Sequence, residues 1–147
     1  MTRGLTSDTI TPECRDFLMQ GTRTGKLATV RSDGRPHVVP IWFYLDGEDL
    51  VFTTWHKSVK AIHMQRDPRV CICVDDETPP FSYVQIEGTA TFDESPDALL
   101  HWATRIGGRY MGTELAEAYG KRNGIPGELL VRIKPTKVLA EWNVAAW

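Results

Sequence analysis

The sequence predicts a β-rich α+β domain in which six or seven short strands close into a barrel, and three observations carry that reading. Strand-like apolar runs recur from Leu27 to Trp142. Turn signals such as Asp33-Gly34, Asp46-Gly47 and Pro79-Pro80 separate them, and only short helical patterns intervene. With 147 residues the chain reads as a single domain, 1–147, able to bury a core without staples.

Taken in order, Thr11-Pro12-Glu13 has the form of a helix N-cap followed by proline in the first turn, with Phe17 and Leu18 as apolar contacts. Leu27 to Val30 reads as a strand, and Asp33-Gly34 turns it into a second from Pro36 to Leu45. Asp46-Gly47 repeats the device before Leu50 to Thr54. Ser58 to Gln65 then forms a short helix with Val59 and Ile62 facing inward, ended by Asp67-Pro68. Val70 to Val74 and Tyr83 to Phe92 are further strands around the turn-rich Asp75 to Pro80. Pro96 to Arg105 and Thr113 to Arg122 are helices. The last strand pattern, Leu129 to Ile133 with Val138 to Trp142, carries Pro135 as the mark of a bend or an edge.

Composition narrows the function classes. Hydrophobic and charged fractions of 41% and 24% are those of a globular protein, and no apolar run approaches the roughly 20 residues of a membrane-crossing helix. The first 20 residues lack the apolar core of a secretion signal, so a cytoplasmic location is expected. A net charge of -2 gives no global attraction to nucleic acid. Cys14, Cys71 and Cys73 form no framework of pairs. Cys71 and Cys73 fall on one face of a strand as small buried side chains, and no second pair accompanies them to make a zinc site, so no metal is expected.

Two features point to chemistry. Pro40 interrupts VVPIWFY, and proline in such a run marks an edge strand or a bulge of the kind found where a ligand approaches backbone. Thr53, Thr54, Lys57, Ser58 and Lys60 follow at a strand end and a helix start, where free amides, hydroxyls and ammonium groups suit a phosphate without a glycine-rich loop. The same residues also suit a solvated basic face. Other motifs are missing: Gly107 to Gly112 lacks the GxGxxG order, neither GxxxxGK[ST] nor GxSxG occurs, and His37, His56, His63 and His101 show no HExxH spacing and read as isolated histidines.

The segments GKLATVRSDGRPHVVPIWF, LVFTTWHKSVKAIHMQRDPRV and YVQIEGTATF resemble the pyridoxamine 5'-phosphate oxidase-like split-barrel superfamily over Gly25 to Phe92. With RYMG at Arg109 to Gly112, the chain is most similar to the actinobacterial branch that uses the deazaflavin coenzyme F420. The resemblance implies a six-stranded split β-barrel with short peripheral helices, a homodimer, and cofactor sites at the dimer interface. It makes Lys60 the phosphate-binding lysine, with Thr53 and Thr54 as the hydroxyl-bearing strand end. Lys57 and Ser58 are candidates for the second phosphate contact, and Val39, Pro40, Ile41 and Trp42 lie along the ring system. Glu87-Gly88 matches a strand near the other subunit's cofactor. Trp142 and Trp147 are candidates to cover a pocket or to form a packed aromatic tail.

No side chain here moves a hydride, so the expected activity borrows it from F420 and delivers it to a small or planar unsaturated substrate such as a quinone or a biliverdin-like tetrapyrrole. No catalytic residue is assigned, and the proton donor is open between solvent, a tyrosine and a histidine such as His37. The alternatives are an FMN-dependent enzyme of the same fold and a non-catalytic protein that binds a flavin or haem.

Overall fold

A computed structural model describes residues 4–147. Eight strands form one antiparallel sheet: β1 (Gly4–Ser7), β2 (Gly25–Val30), β3 (Pro36–Ile41), β4 (Tyr44–Asp46), β5 (Asp49–Trp55), β6 (Arg69–Asp76), β7 (Ser82–Asp93) and β8 (Glu128–Glu141). Four α-helices accompany them: α1 (Pro12–Met19), α2 (Val59–Arg66), α3 (Pro96–Met111) and α4 (Ala116–Asn123). None of these helices is long and apolar enough to cross a membrane.

The sheet runs β3-β2-β6-β7-β8-β5-β4, with β1 added to β8. Strand β8 is its spine, pairing with β7 along most of its length, with β5 through its first half and with β1 through its second. Pro135 does not break it. The register with β7 shifts by one residue at Glu87/Gly88, and Pro135 falls between the stretches of β8 paired with β5 and with β1, where a missing amide costs no hydrogen bond on that side. The barrel expected from the strand spacing is not closed, because β3 and β4 are the two ends of the sheet and do not pair with each other. The expected strand from Pro36 to Leu45 is divided at Trp42-Phe43, which joins those ends.

One large core fills the space inside the sheet, where Leu18, Leu27, Phe43, Phe52, Met64, Ile72 and Ile86 are fully enclosed. A second, smaller cluster of Val51, Leu99 and Leu130 seats α3 on the outer face of β5 and β8. Both faces of those two strands are therefore covered. This explains the unbroken apolar runs Leu50 to Phe52 and Leu129 to Val131 where one-sided burial would give alternation.

Elsewhere alternation decides sides, and two expectations are corrected by it. In β6 the bulkier Val70, Ile72 and Val74 take the core, so Cys71 and Cys73 share the opposite face and are only half-buried. In α2 it is Ala61, His63 and Met64 that are buried, while Val59 and Ile62 are exposed. The cap sets that rotation: Ser58 Oγ accepts from the Ala61 amide and is bonded at 2.8 Å to Thr54 Oγ1, a buried strand residue. Helix α1 starts as expected, with Thr11 Oγ1 accepting from the Cys14 amide.

Helices α3 and α4 form a hairpin whose crossing depends on glycine. A Cβ at Gly107 would overlap the Tyr119 Cβ, and one at Gly120 would overlap the Thr104 hydroxyl. We expect Gly107→Ala to lower stability by about 1–3 kcal/mol, a fall in melting temperature of roughly 2–4 °C per kcal/mol in thermal unfolding. An unchanged melting temperature would show that the helices do not pack this closely.

Candidate functional site

The break between β3 and β4 exists because Arg109 and Tyr110, near the end of α3, hold it open. The Arg109 guanidinium donates to the carbonyls of Leu18, at 2.7 Å, Gly21, at 3.1 Å, and Phe43, at 2.7 Å. It also lies over the rings of Phe43 and Tyr110. No carboxylate pairs with it among the described residues, and burial disfavours its charged form. The Tyr110 hydroxyl donates to the Arg23 carbonyl at 2.7 Å and accepts from the Phe43 amide at 3.2 Å. Burial raises its pKa, against the smaller effects of the Phe43 amide and Arg109, so it is a neutral phenol. Trp42 stacks on the Tyr110 ring at 5.2 Å and 4°, and Tyr119 of α4 leans on the Trp42 ring at 5.8 Å.

Beside Trp42 lies a cavity of about 250 Å³ lined by Pro40, Ile41, Trp42, Thr53, Lys60, Ala103, Ile106 and Asn123. These residues come from β3 and the link that follows it, from β5, and from α2, α3 and α4. Of the nine residues singled out in the sequence, Pro40, Ile41, Trp42, Thr53 and Lys60 meet here. Val39, Thr54, Lys57 and Ser58 do not line it: Thr54 and Ser58 bond to each other within the α2 cap, and Lys57 is exposed. Pro40 is tolerated because β3 is an edge strand, paired only with β2.

The polar part of the lining is one cation, one hydroxyl and one carboxamide, with no carboxylate. Lys60 is half-buried and, among the described residues, makes no ion pair. Burial lowers its pKa and Glu128 partly offsets that; the Glu128 carboxyl is itself raised by burial, opposed by Lys60, Arg122 and His56. No sequence signal marked Ala103, Ile106 or Asn123 as lining residues. Ala103 and Ile106 carry the three-residue spacing of any core-facing helix stripe, and Asn123 reaches the cavity only through the α3–α4 crossing.

Two of the four histidines are not isolated. His63 is buried, with Nδ1 2.9 Å from the buried Thr29 Oγ1, and His37 sits edge-on to it at 5.1 Å. Burial lowers the His63 pKa, and His37, Arg66 and Arg31 lower it further. The folded protein therefore holds His63 neutral while the unfolded chain binds a proton more readily. The stabilisation is present above the ordinary histidine value of 6.5 and is lost as pH falls through the lowered one. Denaturation midpoints measured across that range should fall with pH, and His63→Gln should flatten the slope. An equal slope in the variant would place the acid sensitivity elsewhere.

His56 Nδ1 donates to the Gly127 carbonyl at 2.8 Å, and His101 is exposed beside Trp102. Trp142 is half-buried against Phe17, whereas Trp147 is fully exposed.

An open antiparallel barrel with its two sheet ends joined over a cavity is the split β-barrel layout. Within it, the chain belongs to the pyridoxamine 5'-phosphate oxidase family, whose model matches residues 10–141. The family includes oxidoreductases. A conserved hypothetical protein of Mycobacterium tuberculosis, Rv2991, is 30% identical over 90% of this chain and 85% of its own, with a TM-score of 0.75. A protein described as an F420 reductase is 28% identical over 87% of this chain and 98% of its own, with a TM-score of 0.67. The haem storage protein HutZ of Vibrio cholerae, at 22% identity over 86% of this chain and 90% of its own with a TM-score of 0.67, shares the fold.

Proposed function

We propose that the chain is an F420-dependent reductase that passes a hydride from the reduced deazaflavin to a small or planar unsaturated substrate such as a quinone or a biliverdin-like tetrapyrrole. The observation that carries this is the composition of one cavity, where an apolar wall of Pro40, Ile41 and Trp42 adjoins Thr53 and Lys60. That donor set suits a flat ring bearing a phosphate. The likeness to a protein described as an F420 reductase favours the deazaflavin over FMN.

When bound, the reduced deazaflavin supplies the hydride. The chain's own residues bind, orient and shield. Lys60 neutralises the phosphate and Thr53 adds a hydrogen bond. Trp42, clamped by Tyr110, gives the ring a rigid wall and keeps water from it. The one acidic proton among the lining side chains is that of the Lys60 ammonium, which the phosphate would engage, so we take solvent as the proton source for the product.

The cavity falls below the roughly 300–1,000 Å³ of typical small-molecule sites, which supports a second copy of the chain completing it. The exposed Val38 on β3 and a trough of about 510 Å³ along β2, β6 and β7, which includes Cys71, Glu87 and Gly88, offer a surface for that copy.

The test is a fluorescence titration of the purified protein with F420 and, separately, with FMN, followed by oxidation of reduced F420 in the presence of a quinone. Tight F420 binding with turnover supports the proposal. Preferential FMN binding turns it toward the flavin enzyme, binding without turnover toward a storage protein, and binding of neither ligand sinks the cofactor reading.

A further inference from the structure

We propose that Asn123 is a third phosphate-binding residue of this cavity, acting with Lys60 and Thr53 and so favouring phosphate-bearing ligands over phosphate-free ones. The inference rests on the reading of the cavity given above. Asn123 is the last residue of α4, is half-buried, and lines the cavity together with Lys60 of α2 and Thr53 of β5. The other lining residues, Pro40, Ile41, Trp42, Ala103 and Ile106, offer no polar side chain beyond the Trp42 indole. Three polar groups on three separate elements thus share a small, otherwise apolar space. Its side chain makes no hydrogen bond to the described residues, so its amide group is free to donate.

Half-exposed at the cavity, the side chain can be hydrated when no ligand is bound, and phosphate oxygens would take over that hydrogen bonding. The backbone around Asn123 is also well anchored. Gly120 lets α4 sit against Thr104, Gly124 packs under the backbone of Leu100, and Tyr119 leans on Trp42. Asn123 is therefore carried at a set distance from the wall that would bound the ring. An amide donor beside an ammonium and a hydroxyl, with no carboxylate in the lining, matches an anionic phosphate group. It matches a neutral ligand less well, because the half-buried Lys60 ammonium would then gain no counter-charge beyond the Coulombic influence of Glu128.

The test compares Asn123→Ala and the isosteric Asn123→Asp with the unaltered protein. Affinities are measured for F420, for its phosphate-free deazariboflavin chromophore, for FMN and for riboflavin. Circular dichroism checks that both variants fold. The expected result is a loss of about tenfold for F420 and FMN in Asn123→Ala, a larger loss in Asn123→Asp, and a change of less than about twofold for the two phosphate-free ligands. Equal losses for phosphate-bearing and phosphate-free ligands would assign Asn123 to the ring and overturn the inference. Unchanged affinity in both variants overturns it too, while leaving the cavity reading in place. An unaltered protein that binds neither F420 nor FMN overturns the cavity reading and this inference with it.

Discussion

Lys60→Ala should weaken F420 binding by about 1.5–3 kcal/mol, the worth of one charge-assisted hydrogen bond, which is roughly a 10- to 150-fold rise in Kd. The size follows from the surroundings of the ammonium. It is half-buried and lines the cavity, and no carboxylate pairs with it among the described residues. Its charge is thus poorly screened by water and available to a ligand. The same isolation means that the variant loses no internal ion pair, so thermal unfolding should change little. Affinity should also fall at alkaline pH earlier than an ordinary lysine value of 10.5 would give, because burial lowers the Lys60 pKa. Equal affinity in the variant would remove Lys60 from the site, and a large drop in melting temperature would recast it as a structural residue.

Arg109→Ala should destabilise the protein by about 3 kcal/mol, a fall of roughly 6–12 °C in melting temperature. One guanidinium satisfies carbonyls of Leu18, Gly21 and Phe43, which belong to α1, the loop after it and the β3–β4 link. Removing it leaves the carbonyls of the enclosed Leu18 and Phe43 without that donor and strips two aromatic rings of their cationic cover. Lysine should not restore the loss, since a single ammonium cannot span three carbonyls in the geometry of a planar fork. Ligand affinity should fall as well, because Trp42 precedes Phe43 and stacks on the neighbouring Tyr110. A variant that melts normally would show that the link holds its shape without Arg109.

Much of the fold was legible before any coordinates. Turn dipeptides at Asp33-Gly34 and Asp46-Gly47, the Thr11-Pro12 helix start and the apolar runs located most elements, because each is a short-range preference of the backbone. Pro40 marked an edge strand or a bulge for the same reason, and the pairing of β3 with β2 alone makes it the edge. The rotation of α2 was misread, since Val59 and Ile62 are as apolar as an inward face requires. What turned them outward was a hydroxyl pair between Thr54 and Ser58, which pinned the cap to the strand before it. His37 and His63 stand 26 positions apart in sequence, and only pairing of β2 with β3 and the packing of α2 brought them together.

By itself the sequence determined a β-rich chain with a cationic helix start following a proline-marked edge strand, and those local patterns carried the likeness to a cofactor-binding family. The tertiary structure decided which residues share a cavity: Lys60 and Thr53 meet Pro40 to Trp42, while Lys57 remains in solvent and Thr54 and Ser58 serve the helix cap. It also brought in Ala103, Ile106 and Asn123 from a glycine-dependent helical hairpin. The reason is physical. Secondary structure is set by preferences within a few residues, whereas a cavity is set by how distant surfaces fail to close. Here Arg109 and Tyr110 prevent β3 and β4 from running on as one strand.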